Sequence, residues 1–363
     1  MKFVDEFRNN EYTKILVEKL NNISSEKMNI MEVCGSHTMA IFRYGIRDVL
    51  PSNINLISGP GCPVCVTPQS YIDTALTLSE KGNVIIATFG DMMKVPGKKG
   101  SLTKKKAEGA DVRIVYSPMD CLLMANQNPS KKIVFLSVGF ETTAPMAAVT
   151  VMEAKKNNIS NLFFLTAHKI VPPVMEALVK EKDLIIDGFL LPGHVCAIIG
   201  SKPFEFLSRD YHIPGVVTGF EPIDMLQGLN TLVSSVSKKN NRIENDYKRI
   251  VKTEGNPSAL EYLKKAFNRV DSSWRGLGRI PNSGLEFKGE YEDFDALKHF
   301  KIDYEEYDGS PGCKCGEILK GKIKPPDCPL FKKICNPENP VGSCMVSSEG
   351  TCAAYYRYHK DTK

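Results

Sequence analysis

Six cysteines between residues 313 and 352 constrain this chain more than any other feature. A forty-residue tract with five prolines and little hydrophobic periodicity cannot build a large apolar core, so it needs a metal or a cross-link to hold it. Eleven cysteines occur in all, with Cys34, Cys62 and Cys65 forming a second group. No apolar run approaches the roughly eighteen residues of a membrane span, and the amino terminus, MKFVDEFRNNEY, carries acids where a secretory leader needs an apolar stretch. Both point to a cytoplasmic protein and no membrane association. In that reducing compartment thiols serve as metal ligands or redox groups sooner than as structural disulfides. A net charge of +5 spread over 363 residues gives no argument for a nucleic-acid partner.

Cys328, Cys335, Cys344 and Cys352 are separated by six, eight and seven residues. Four thiolates on loops can surround an iron–sulfur cluster or a zinc ion. Zinc ribbons bring paired C-x2–4-C knuckles, which these gaps are too long to form, and the ferredoxin C-x2-C-x2-C spacing is missing as well. The spacing therefore says metal site, iron–sulfur ahead of zinc, with unligated reduced thiols as the bland alternative. Cys313 and Cys315, in CKCG, are either substitutes in the ligand set or a neighbouring redox pair.

Cys62 and Cys65 stand in GPGCPVC. Thiols at C-x-x-C separation can close a disulfide and exchange readily, and the flanking glycines and prolines argue for an exposed, rigid turn. A zinc half-site or two inert thiols remain open. Cys34 follows the apolar run Ile30–Val33 and precedes Gly35, Ser36 and His37 at an expected helix start, where the macrodipole favours thiolate. It suits two readings equally: a soft ligand for iron, with His37 nearby, or a buried strand-end thiol. His168, His194, Asp91, Glu141 and Glu221 each follow a strand-like run. They could gather in one cleft with Cys34, though each alone reads as a satisfied structural group. Cys121 and Cys196 sit in apolar surroundings and read as packing, and the six lysines from Lys94 to Lys106 read as a solvated loop.

The rest of the chain reads as α/β. Short runs rich in Val, Ile and Phe, at Ile30–Val33, Ile54–Ile57, Val84–Phe89, Val112–Val115, Ile133–Val138, Leu162–Leu165, Leu184–Leu190 and Ile213–Val217, alternate with helix-length amphipathic segments. The tripeptide Gly-Phe-Glu recurs at Gly139 and Gly219 after two of them, as in strand–turn–helix units. Two small Rossmann-like parallel-sheet domains are expected, plus a loop-rich C-terminal iron–sulfur lobe: 1–127 with Cys34 and the Cys62/Cys65 motif, 128–229, and 230–363, the first boundary lying at the Gln127–Ser130 turn signal. Mixed helix and loop are expected from Asp271 to Gly316. Gly59-Pro-Gly61 lacks the third glycine of a dinucleotide fingerprint and GKKGSLTKK is not a Walker loop, so nucleotide cofactors have no motif here.

The phrases MEVCGSHTMAIFRYGI, SGPGCPVCVTP, TFGDMMKVPG, GFETTAP, PGHVCAIIG, TGFEPID and CMVSSEGTCAAYYRY, in order from Met31 to Tyr358, together resemble the HypD family of nickel–iron hydrogenase maturation proteins. Where that family often shows a second histidine two residues after the first, this chain has Met39. The resemblance implies a scaffold for assembling iron with its cyanide and carbonyl ligands. It implies a complex with the chaperone HypC, cyanide from HypE, and delivery to the hydrogenase large subunit. It further implies that Cys34 holds the iron together with a HypC cysteine, that Cys62 and Cys65 are redox thiols, and that Cys328, Cys335, Cys344 and Cys352 ligate a four-iron four-sulfur cluster. A rival class is an iron–sulfur-dependent protein disulfide reductase, and a third a metal-stapled interaction protein.

Overall fold

All eight apolar runs form strands: β1 Met28–Glu32, β2 Ile54–Ser58, β3 Val84–Thr88, β4 Val112–Ile114, β5 Lys132–Gly139, β6 Leu162–His168, β7 Gly188–Pro192 and β8 Gly215–Thr218. The computed structural model describes residues 8–23, 26–303, 305, 307, 309 and 312–359. Short β-branched segments with helices between them must lie parallel, because each helix carries the chain back to the sheet's starting edge. They do so in two sheets, ordered β2-β1-β7-β8-β9 and β4-β3-β5-β6, with β9 the short strand Ile243–Asn245. Every pairing in both is parallel. The architecture is α/β with two Rossmann-like sheets.

The chain enters the first sheet twice. β1 and β2 are joined there by β7, β8 and β9, while β3 to β6 form the second sheet in between. The turn at residues 127–130 therefore links two members of one sheet, β4 and β5 by way of the helix Asp120–Gln127, instead of separating two sheets. A turn signal reports local reversal, whereas sheet membership is decided by pairing partners more than a hundred residues apart. Residues 230–245 likewise finish the first sheet.

A second departure lies between residues 267 and 287. The strands β10 Phe267–Trp274 and β11 Gly278–Phe287 form an antiparallel hairpin, with a bulge between Val270 and Ser272, where mixed helix and loop were expected. The hairpin docks beside β6, where the Ile170 amide donates to the Ser283 carbonyl at 2.8 Å. The lysine-rich stretch also differs from a plain loop: Leu102–Ala107 is helical, with Ser101 capping it through the Lys104 amide and Lys105 paired to Glu80 and Glu108. Among the described residues no helix is long and apolar enough to cross a membrane.

The strand orders place the functional region. In open parallel sheets, binding sites form at the carboxyl ends where strand order reverses. The first sheet reverses between β1 and β7, which lead into Cys34 and into His194 and Cys196. The second reverses between β3 and β5, which lead into Asp91 and Glu141. The tail helix Thr351–Tyr358 packs on the helix Gly35–Arg43, with the Phe42 and Tyr355 rings 4.5 Å apart. That contact brings the cysteine-rich lobe to the same end.

Candidate functional site

Cys34 occupies the N-cap of the helix Gly35–Arg43 with its side chain buried. The N-terminal amides of that helix do not make it a resting thiolate, as its sequence position suggests. Burial pushes the thiol up to about 12, the neighbouring carboxylates of Glu349 and Glu32 add to this, and the His37 and Ser36 amides only partly oppose it. Glu32, inside β1, is fully buried and takes hydrogen bonds from the Cys34 amide at 3.2 Å and the Thr38 hydroxyl at 2.5 Å. Burial raises its carboxyl to about 7.

The GPGCPVC turn lies directly on Cys34. The Gly35 amide donates to the Gly61 carbonyl at 2.9 Å, and the Gly59 amide to the Glu32 carbonyl at 2.7 Å. A Cβ at Gly61 would overlap the Cys34 backbone, so only glycine allows the approach. Cys62 and Cys65 are joined as a disulfide with their Cα atoms 5.3 Å apart. They are 3% and 0% exposed, where the sequence suggested an exposed turn. The cover comes from the tail, since the Ser343 hydroxyl donates to the Cys65 carbonyl at 3.1 Å.

A second tail residue reaches Cys34 itself. Glu349 accepts from the Ser36 hydroxyl at 2.6 Å, and Ser36 Oγ lies 3.4 Å from His194 Nδ1. Burial, with the nearby Asp91 charge, holds the Glu349 carboxyl above its ordinary value against that hydrogen bond. Phe220 of the second Gly-Phe-Glu stacks on His194 at 3.9 Å and lies 4.8 Å from the His37 ring. His37 is fully buried. Its Nε2 lies 3.2 and 3.1 Å from the carbonyls of Thr218 and Gly219, which can only accept, so the proton sits on Nε2. Nδ1 is left buried with no hydrogen-bond partner, and burial brings the imidazole down to about 4.

The tail cysteines gather as well. Cys313, Cys315, Cys328, Cys335 and Cys352 line one small cavity with Ile318, Leu330, Phe331 and Met345. Cys344 is hydrogen-bonded to Cys315 and Cys352, contacts that hold its thiol below the ordinary value. Cys313 and Cys315 have their sulfurs 3.0 Å apart. Among the described residues no three ligating side chains stand close enough for a single metal ion. An apolar cavity whose only donors are thiols, with no carboxylate or imidazole among its lining, has the donor set of an iron–sulfur cluster.

The remaining candidates divide. Cys196, read from sequence as packing, is buried, yet Glu141 and Cys34 are both near enough for their charges to raise its thiol beyond the effect of burial. Glu141 is buried, accepts from the Val171 amide at 2.9 Å and keeps its second oxygen unpartnered, with burial raising the carboxyl to about 7. Glu221 leaves the group: it is tied to Arg8 at 2.6 Å. Cys121 packs in the core of the second sheet. Sequence reading missed Glu32, whose signal is a lone carboxylate inside the apolar run Ile30–Val33. It also missed Ser36, Glu349 and Arg275, which carry no such signal.

His168 ends β6, buried, with Ser137 Oγ 3.5 Å from its Nδ1. Burial, and then the Lys169 charge, bring its imidazole down to about 3. A base depressed in the folded state costs stability as pH falls from its unfolded value of about 6.5 toward 3, because the unfolded chain binds one more proton across that window. The slope is about 1.4 kcal/mol per pH unit. Replacing His168 with Gln should flatten the acid limb of the stability curve by that amount; an unchanged slope would show that the imidazole protonates in place.

Comparison with known proteins follows the same lines. A family model described as HypD, hydrogenase formation hypA family, matches residues 11–359. The hydrogenase maturation factor HypD of Escherichia coli (strain K12) is 46% identical, with 99% of each chain covered. A putative hydrogenase expression/formation protein of Methanocaldococcus jannaschii is 45% identical over 96% of this chain and 97% of its own. The HypD of Cupriavidus necator is 42% identical over 99% and 97%.

Proposed function

This chain belongs to the HypD family of hydrogenase maturation factors, and from that membership we propose that it is the scaffold on which one iron acquires its cyanide and carbonyl ligands before transfer to the hydrogenase large subunit. The observation that carries the reading is the seating of Gly61 on the Cys34 backbone, which unites a soft ligand and a two-electron dithiol in one site. Cys34 binds iron as thiolate, so loading releases a proton from a thiol that otherwise keeps it. Glu349, close enough to raise that thiol, is placed to take the proton, and Ser36 and His194 extend the polar chain outward. The bare Nδ1 of His37, on the helix that Cys34 caps, offers a buried acceptor. HypC supplies the second thiolate and HypE the cyanide.

Cys62 and Cys65 store two electrons: reduction breaks their sulfur–sulfur bond and, with two protons, leaves two thiols. A four-iron four-sulfur cluster bound by Cys328, Cys335, Cys344 and Cys352 would supply single electrons in the lobe that touches Cys65 through Ser343. The paired sulfurs of Cys313 and Cys315 favour the alternative of a protein disulfide reductase. Against it, burial of both Cys62 and Cys65 leaves no open sulfur for a protein disulfide to meet. Purified anaerobically with HypC, the chain is expected to show infrared bands of iron-bound cyanide and carbonyl. Turnover of protein disulfides by the isolated chain, with no such bands in the complex, would replace this reading by the reductase.

A further inference from the structure

Arg275 lies in the turn of the β10–β11 hairpin and is only 4% exposed. Its amide donates to the Val66 carbonyl at 2.8 Å and its Nε to the Thr67 carbonyl at 2.9 Å, while Nη1 reaches Gln69 Oε1 at 3.4 Å. Nη2 is buried without a partner. All of these acceptors are neutral, and no ion pair holds the guanidinium among the described residues. The next residue, Gly276, has φ +74° and packs so closely on the Cα of Gly316 that a Cβ there would overlap it. The hairpin turn thus sits between the residues that follow Cys65, which the Arg275 side chain touches, and those that follow Cys315, and the Arg275 charge reaches Cys313.

An unpaired buried charge destabilises the fold, and a guanidinium cannot escape the cost by losing its proton. Capping two carbonyls accounts for the amide and Nε but not for the charge or the open Nη2. We propose that Arg275 is a positioning residue for electron storage: its fixed charge is the counter-ion for the negative charge that appears when the Cys62–Cys65 disulfide is reduced. The inference rests on the redox reading of that pair. Reduction by an external dithiol moves two electrons into the bond and oxidises the dithiol to its own disulfide. Where one proton is taken up, one thiol and one thiolate result, and a buried cation nearby favours that state.

The test is anaerobic titration of the full chain, loaded with its cluster, in reduced and oxidised dithiothreitol, with the state of Cys62 and Cys65 read by alkylation and peptide mass spectrometry. Arg275→Met and Arg275→Gln should each disfavour reduction about tenfold, a shift of about 30 mV to lower potential for a two-electron couple. Arg275→Lys should stay near wild type. Gln retains donors toward Thr67, so it carries the test if Met impairs folding. Equal midpoints in all four proteins, or a shift in Lys as large as in Met, would overturn the proposal and leave Arg275 a carbonyl cap. A wild-type pair that resists reduction throughout would instead remove the redox reading itself.

Discussion

Replacing Cys34 with Ala is expected to abolish the infrared bands of iron-bound cyanide and carbonyl and to reduce hydrogenase maturation to background, while the visible absorbance of the cluster is retained. The separation follows from placement. Cys34 follows β1 at the reversal point of the first sheet, whereas five tail cysteines line a separate cavity and the sixth, Cys344, touches two of them. Loss of one buried sulfur costs the fold on the order of 1 kcal/mol, too little to dismantle either sheet. Cys121→Ala supplies the control. That thiol is equally buried and is also pushed up to about 12 by burial, but it lies in the core of the second sheet. Its loss should leave every band in place. Bands that persist without Cys34 would put the iron elsewhere.

Gly61→Ala should produce the second large effect, from a single methyl group on a residue that is itself no proposed ligand. The added carbon would meet backbone atoms of Cys34, and that backbone is pinned by the hydrogen bond from the Gly35 amide to Gly61 itself. A flexible side chain could swing away, but main chain cannot. Overpacking costs roughly 1–3 kcal/mol, and a main-chain obstacle belongs at the upper end, about 3 kcal/mol, or about 4 °C of melting temperature in a chain this long. The larger consequence is functional: the strain is relieved by parting Cys34 from the dithiol, so iron loading falls with stability. Gly82→Ala is the matched control, because nothing lies within 4 Å of the carbon it would add. Equal melting temperatures and equal bands for the two variants would show that the close approach is unimportant.

The strands were legible because each is a short β-branched run, and burial on both faces of a parallel sheet demands such composition. Which sheet each strand joins was not legible: β1 pairs with β7 across more than 150 residues, and nothing local in either run selects the other. The hairpin escaped notice because FNRVDSSW and GRIPNSGLEF interleave polar residues, proline and glycine, and their buried positions do not alternate regularly.

The site divides in the same way. Spacing picked out Cys34 and the Cys62/Cys65 pair, and left Cys34 between two readings, ligand and buried strand-end thiol. Its burial is now plain, and so is its contact with the dithiol turn. Glycines and prolines specify how that turn bends, but they do not reveal that Ser343, distant in sequence, covers it. Glu349 and Arg275 were invisible for a related reason, since each acts on a partner brought near only by the packing of the tail and the hairpin.

The central claim, that the Cys34 thiolate carries the assembling iron apart from the tail cysteines, is tested most directly by Mössbauer spectroscopy of the 57Fe-labelled chain purified anaerobically with HypC, wild type beside Cys34→Ala. The predicted result is a cluster signal in both samples and an additional low-spin ferrous component in wild type alone. An additional low-spin component of equal size in Cys34→Ala would contradict it.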